Sequence, residues 1–251
     1  MTADQWAHAV RRQLGLGRVL PLGGAGDGAW ITEEAAGAVL RRAAAAVRGV
    51  RLGALRIALA DPADTTSAVV PPPPSALPSG PLRLGAEFAA SADPTAAGAE
   101  PLPATAARLR AALAAAATER LGLTVTDVDL GVTGLLDREE PVVTGADEKP
   151  ATPPGRAPEG IADTDESRVA AAALSVPGVT RLTGVLGGPG RAVHIEDRPG
   201  REAALPRRHV RVELAVAPHL RTLDVTREVR MAVTAALPDH PTVAVLVTAV
   251  E

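Results

Sequence analysis

The residues that could do chemistry are few, and their spacing is uninformative for catalysis. Five histidines are present, His8, His194, His209, His219 and His240. None stands in H-E-x-x-H or a similar spacing, which would place two ligands on one helix face. His194 and His209 flank Glu196, and the three would offer an acid–base or metal site only if their segments pair as strands. Asp127 and Asp129 share one face of a strand and could seat a hard cation, but no further ligand is near and alternation equally predicts two solvated carboxylates. The glycine-rich stretches GGAGDG (residues 23–28) and GVLGGPGR (residues 184–191) lack the G-K-[ST] that would set lysine on a phosphate, and they read as connectors. There is no G-x-S-x-G and no cysteine, so neither an elbow serine nor a thiolate nucleophile is encoded. No catalytic residue, metal ligand or cofactor is assigned, and the reading is a non-enzyme.

Two features suit binding rather than catalysis. Arg198, Arg201, Arg207, Arg208 and Arg211, with His209 among them, form a basic cluster that an acidic partner or RNA would fit. Glu196, Asp197, Glu202 and Glu213 interrupt it, and the aromatics are only Trp6, Trp30 and Phe88, so bases have little to stack on. With a formal charge of −3, nothing global recruits a polyanion, and nucleic acid is not the favoured partner. The second feature is Trp6, Val10 and Leu14, one stripe of an N-terminal helix with Arg11 and Arg12 off it. Such a stripe docks on its own domain, on a protein partner or on a membrane surface.

The elements that position these residues are read from periodicity. Thr32 caps a helix that carries Ala35, Val39, Ala43 and Val47 and stops at Gly49. Strands follow at residues 50–60, with a bulge near Gly53, and at 82–89. The proline-rich stretch Asp61 to Pro81 between them reads as a stiff linker with no core of its own. A helix over residues 102–121 bears Leu109, Leu113 and Ala117, and a strand holds Val128, Leu130 and Val132. After an acidic, proline-rich linker the order recurs. A helix begins at Thr164 or Asp165 and runs through Leu174, with strands at 179–186 and 209–217. A helix at 223–237 then bears Val225, Val229 and Val233, before a last strand at 242–250, and RAVHIED (residues 191–197) offers an extra short strand. Local text repeats with the elements: AVRGV matches SVPGV, GAEFAAS matches RVELAVA, LRAAL matches VRMAV, and VDLGVT matches VAVLVT.

The fold class is therefore α+β: two tandem αββαβ units, each a small mixed sheet with helices packed on one face. Residues 1–27 form an N-terminal amphipathic helix and loop, 28–137 the first unit with the proline-rich insertion at about 61–81, 138–162 the acidic linker, and 163–251 the second unit. With GAWITEE, Val47-Arg-Gly-Val50, the strand pair, the helix and the closing Val-x-Leu-x-Val strand, the first unit resembles the alkaline shock protein (cell-envelope stress response) family. Residues 165–250 resemble it less closely. The opening text RRQLGLGRVLPLGG…DGAWITE is also similar to actinomycete proteins labelled nucleopolyhedrovirus p-ten family. The resemblance implies a small non-catalytic module, tied to envelope stress and in some members held at the membrane by a separate anchor. It implies a cytoplasmic scaffold or adaptor acting through a protein partner or self-association, possible peripheral membrane contact included, with no cofactor. A nucleic-acid-binding module using the 198–211 loop, and an enzyme with a site between the units, are the alternatives.

Overall fold

The computed structural model describes residues 17–91, 100–136, 164–185, 191–198 and 207–251. Strands β1 (Val19–Leu22) and β2 (Ala29–Thr32) lead into helix α1 (Glu33–Ala45). Thr32 caps α1 by accepting a hydrogen bond from the Ala35 N–H, with Glu33 and Glu34 in the first turn where the helix dipole favours them. Strand β3 (Val50–Leu59), strand β4 (Leu82–Ser91), helix α2 (Leu102–Ala115) with a wider π turn over Ala116–Leu121, and strand β5 (Val125–Leu136) complete the first unit. The second comprises α3 (Asp165–Leu174), β6 (Val179–Leu182), β7 (Val193–Arg198), β8 (Arg207–Val216), α4 (Thr222–Ala236) and β9 (Thr242–Val250).

Both units have the same topology. In the first, β4 is central, antiparallel to β3 and parallel to β5. In the second, β8 is central, antiparallel to β6 and β7 along one edge and parallel to β9 on the other. The correspondence extends to single residues. Val50 stands opposite Ala90 and Val179 opposite Val216. The register slips after Phe88/Val132 in one unit and after Leu214/Val247 in the other, so Thr133 and Thr248 are the extra residues of matching bulges. Each turns its hydroxyl onto a carbonyl of the central strand, Thr133 to Phe88 O at 3.3 Å and Thr248 to Leu214 O at 3.4 Å. The helix-to-strand junctions also match. Gly49 and Gly178 have φ of 70° and 95°, a left-handed conformation that favours glycine. Their carbonyls accept from Ser91 N and Ala217 N, both at 2.8 Å. The bulge expected near Gly53 lies between Leu52 and Leu55; at the equivalent place the second unit carries extra residues, and its first strand is divided into β6 and β7.

The units share one core. Leu82, Leu84 and Phe88 of the first sheet and Val210, Val212, Val245 and Val247 of the second belong to a single buried cluster with Leu40, Leu109, Leu113, Val229 and Val233 of the helices. Helix α1 packs against β3 of its own unit and against β2 and β9 of the other sheet.

Two sequence expectations are corrected. The stretch from Leu20 through the GGAGDG turn is not plain loop: β1 and β2 form an antiparallel hairpin, and β2 joins β9 in parallel, extending the second sheet to the order β1-β2-β9-β8-β6. The proline-rich segment is not a coreless linker either. Val70 is 3% exposed and clusters with Val19, Trp30, Ala244 and Leu246 on the second sheet's outer face, with Ala68 and Ala76 alongside. Leu77 N donates to Val19 O at 2.9 Å and Val69 N to Ala25 O at 3.0 Å. Proline lacks an N–H, so a proline-rich strap covers apolar surface while leaving few buried donors to satisfy.

Candidate interaction surface

The two modules differ in what their outer sheet faces meet. In the first, alternation sends Arg56 and Ala58 of β3, Arg83, Gly85, Glu87 and Ala89 of β4, and Asp127, Asp129 and Gly131 of β5 to the side opposite the core. Arg56, Arg83, Glu87, Asp127, Asp129 and Gly131 are exposed. Arg83 pairs with Asp129 at 3.6 Å, an exposed contact of small energetic worth. A side chain built on Gly85, Gly131 or Gly134 would meet nothing within 4 Å, so these glycines form an open floor between charges of both signs. The expectation for Asp127 and Asp129 holds in its plain form: both are solvated on one face.

In the second module the corresponding face is covered by the chain itself. The strap lies over Trp30 and Leu246, and Glu213, the counterpart of Glu87 in the matched text, is fully buried. The Val185 N–H donates to Glu213 Oε2 at 2.8 Å, and Arg211 Nε lies 3.8 Å from Oε1. Thr183 and Thr248 join hydroxyls at 2.7 Å beside them.

The predicted binding residues fall unevenly. Arg208 is held by carboxylates of three elements: Asp165 of α3 at 2.7 Å, Asp239 of the α4–β9 turn at 3.4 Å and Asp197 of β7 at 3.8 Å. The hydrogen bond it donates to Asp165 raises its already high pKa, outweighing the opposing effect of burial. Arg211 sits against Glu213, so two arginines of the basic cluster serve intramolecular pairs. Arg198 and Arg207 are paired in backbone register at the ends of β7 and β8. Arg201, Trp6, Val10 and Leu14 lie outside the described residues.

The histidine–carboxylate group is brought onto one face, because β7 and β8 do pair: Glu196 stands opposite His209 and His194 opposite Arg211. His209 is buried, with Nδ1 2.9 Å from Thr242 Oγ1, while His194 Nε2 lies 3.1 Å from Arg191 O. Among the described residues no three His, Asp or Glu side chains converge as a metal would require.

The GGAGDG turn is a clamp. Asp27 accepts from Gly24 N at 2.7 Å and takes a two-pronged contact from Arg227 at 2.8 and 3.2 Å. Arg230 donates to Gly26 O at 3.0 Å, Val243 O at 3.1 Å and Asp27 O. Burial raises the Asp27 pKa, but the Arg227 and Gly24 hydrogen bonds and the charges of Arg227 and Arg230 outweigh it and hold the carboxyl below its ordinary value. These contacts bind the hairpin to α4; sequence reading had seen only the glycines. No protein-family model, curated protein or solved structure matches the chain.

Proposed function

We propose that the protein is a non-enzymatic adaptor working through protein–protein contacts, with the outer face of its first sheet as the contact surface. The observation that carries this reading is the contrast between two copies of one module. Where the second module's outer face is covered by the strap that links β3 to β4 and Glu213 is buried, the first leaves that face bare and Glu87 exposed. A floor of glycine and alanine ringed by arginines and carboxylates suits another protein's mixed surface better than a polyanion. The occupation of Arg208 and Arg211 by internal carboxylates weighs against a nucleic-acid reading of the basic cluster. An envelope-stress role in the cytoplasm, near the membrane, rests on the resemblance of the first unit and on the Trp6, Val10, Leu14 stripe. Among the described residues no helix is long and apolar enough to cross a membrane.

Affinity capture from the native host, comparing wild type with Gly85→Tyr and Gly131→Tyr, tests the surface. Both positions have room for a side chain, and tyrosine suits a strand, so melting temperature should move by no more than about 2 °C. A partner held by the wild type and lost from both variants is the expected result. Equal capture by all three proteins would refute this surface.

A further inference from the structure

The two modules also differ at the free edge of their last strand. In the second, the edge of β9 is filled by β2 in parallel, with Ala29 opposite Val245 and Ile31 opposite Val247. The Val245 N–H donates across this edge to Gly28 O at 3.0 Å. Leu130 and Val132 of β5 are the counterparts of Val245 and Val247, since they face Ala86 and Phe88 as the latter face Val212 and Leu214. Among the described residues no strand is added there. Arg110 Nε donates to Val128 O at 3.1 Å, so that carbonyl points away from β4. Alternation turns the main-chain groups of Leu130 and Val132 the same way.

The other sheet edges are protected by the usual devices. Strand β3 is bulged, and at Ile57 its outward N–H is bound by Glu33 Oε1 at 3.2 Å and its carbonyl by Arg18 Nη1 at 3.4 Å. Strand β1 has 4 residues and is tied to the strap, and the opposite edge is divided between two short strands, β6 of 4 residues and β7 of 6. Strand β5 has 12 residues, and beside its open groups Val132 is 47% exposed and Leu135 60%.

We propose that β5 pairs antiparallel with β5 of a second copy, joining the two three-stranded sheets into one. A two-fold interface demands an antiparallel, self-complementary strand, and β5 meets that demand in the register centred on Leu130. Leu130 then opposes Leu130 of the second copy, and Val128 opposes Val132. Asp129 faces Gly131 and Asp127 faces Thr133, so no carboxylate stands directly across from another. Three outward pairs offer about six main-chain hydrogen bonds, two of which end on Val128 carbonyls that also accept from Arg110. Next to Arg110 on the exposed flank of α2 stand Ala107 and Ala111, whose small side chains leave room for the neighbouring copy.

The inference extends the adaptor reading by naming one contact of the first module, while leaving its outer face free. Sedimentation equilibrium over a wide concentration range, with hydrogen exchange at the Leu130 and Val132 amides, tests it on the full chain. The expected result is a concentration-dependent dimer in which those two amides are slowed. Val132→Lys should weaken association by roughly tenfold or more by placing a charge at the edge. Val132→Pro should do the same, because it removes only an outward N–H and spares the β4 ladder; circular dichroism checks that each variant folds, and Val132→Lys decides if the proline variant does not. A protein that stays monomeric with both amides exchanging freely would overturn the proposal. So would a dimer indifferent to the folded variants, or one protected elsewhere. A monomer that still loses its partner on Gly85→Tyr would remove the β5 pairing and leave the adaptor standing. A β5 dimer with no effect of Gly85→Tyr on capture would do the reverse.

Discussion

Replacing Val70 by alanine asks whether the proline-rich strap is part of the folded core. Val70 is 3% exposed and packs with Trp30, Ala244 and Leu246, whereas its neighbour Val69 is 76% exposed. Deleting two buried methyl groups at about 0.8 kcal/mol each costs about 1.6 kcal/mol. A cavity against a sheet that cannot collapse brings the cost to roughly 2–3 kcal/mol. The same change at Val69 should stay within about 0.5 kcal/mol, which makes it an internal control for composition and β-propensity. For a chain of this size a loss of about 2 kcal/mol corresponds to a fall of roughly 4–8 °C in Tm. Urea unfolding of the wild type and both variants is the direct assay, with the midpoint moving and the slope constant. If the two variants unfold together, Val70 does not pack as described. The contrast between a covered and a bare sheet face, on which the proposed contact surface rests, would then lose its basis.

Two further changes probe local physics. Gly178→Ala places a Cβ 2.5 Å from Leu220 Cδ1 at a φ of 95°, and should cost more than about 1–2 kcal/mol in thermal unfolding, with little change expected from Gly85→Ala in open space; equal effects would deny the junction its special backbone. Asp27→Asn should destabilise most at neutral pH: a carboxyl whose folded pKa lies below its unfolded one contributes stability above the unfolded value and loses it as pH falls through the folded one, so the gap to wild type should close on acidification. A gap that stays constant from neutral to acid pH would show that the Asp27 charge is not what the clamp uses.

The parts of the fold legible in the sequence are those whose cause is local. Thr164 and the acidic first turn fix the start of α3, Val225, Val229 and Val233 mark the buried stripe of α4, and the echo of GAEFAAS in RVELAVA marks β4 and β8 as counterparts. Strands β1 and β2 escaped because all their residues are buried, so no alternation shows, and the hydrogen bond from Thr32 to Thr248 O closes across 216 residues. The strap escaped because prolines announce missing donors without naming the surface they cover. The basic cluster was visible as charge, yet the carboxylates that occupy Arg208 lie 43 and 31 residues away, at Asp165 and Asp239, in sequence. Strand β5 reaches beyond the expected Val128 to Val132 because Gly131 and Gly134 blank the pattern and the Thr133 bulge shifts its phase.

The pairing of β2 with β9 sets a schedule for biosynthesis. At roughly 5–20 residues per second, Ala29–Thr32 leaves the ribosome about 10–40 s before Thr242–Val250. For that interval the nascent hairpin carries Trp30 and Ile31 without β9, the strand that receives them. Strand β5, whose edge is the counterpart of the one β2 needs, emerges well before β9 does. Nascent β2 therefore meets the β5 edge before its own, and in the finished molecule it lies on β9 instead.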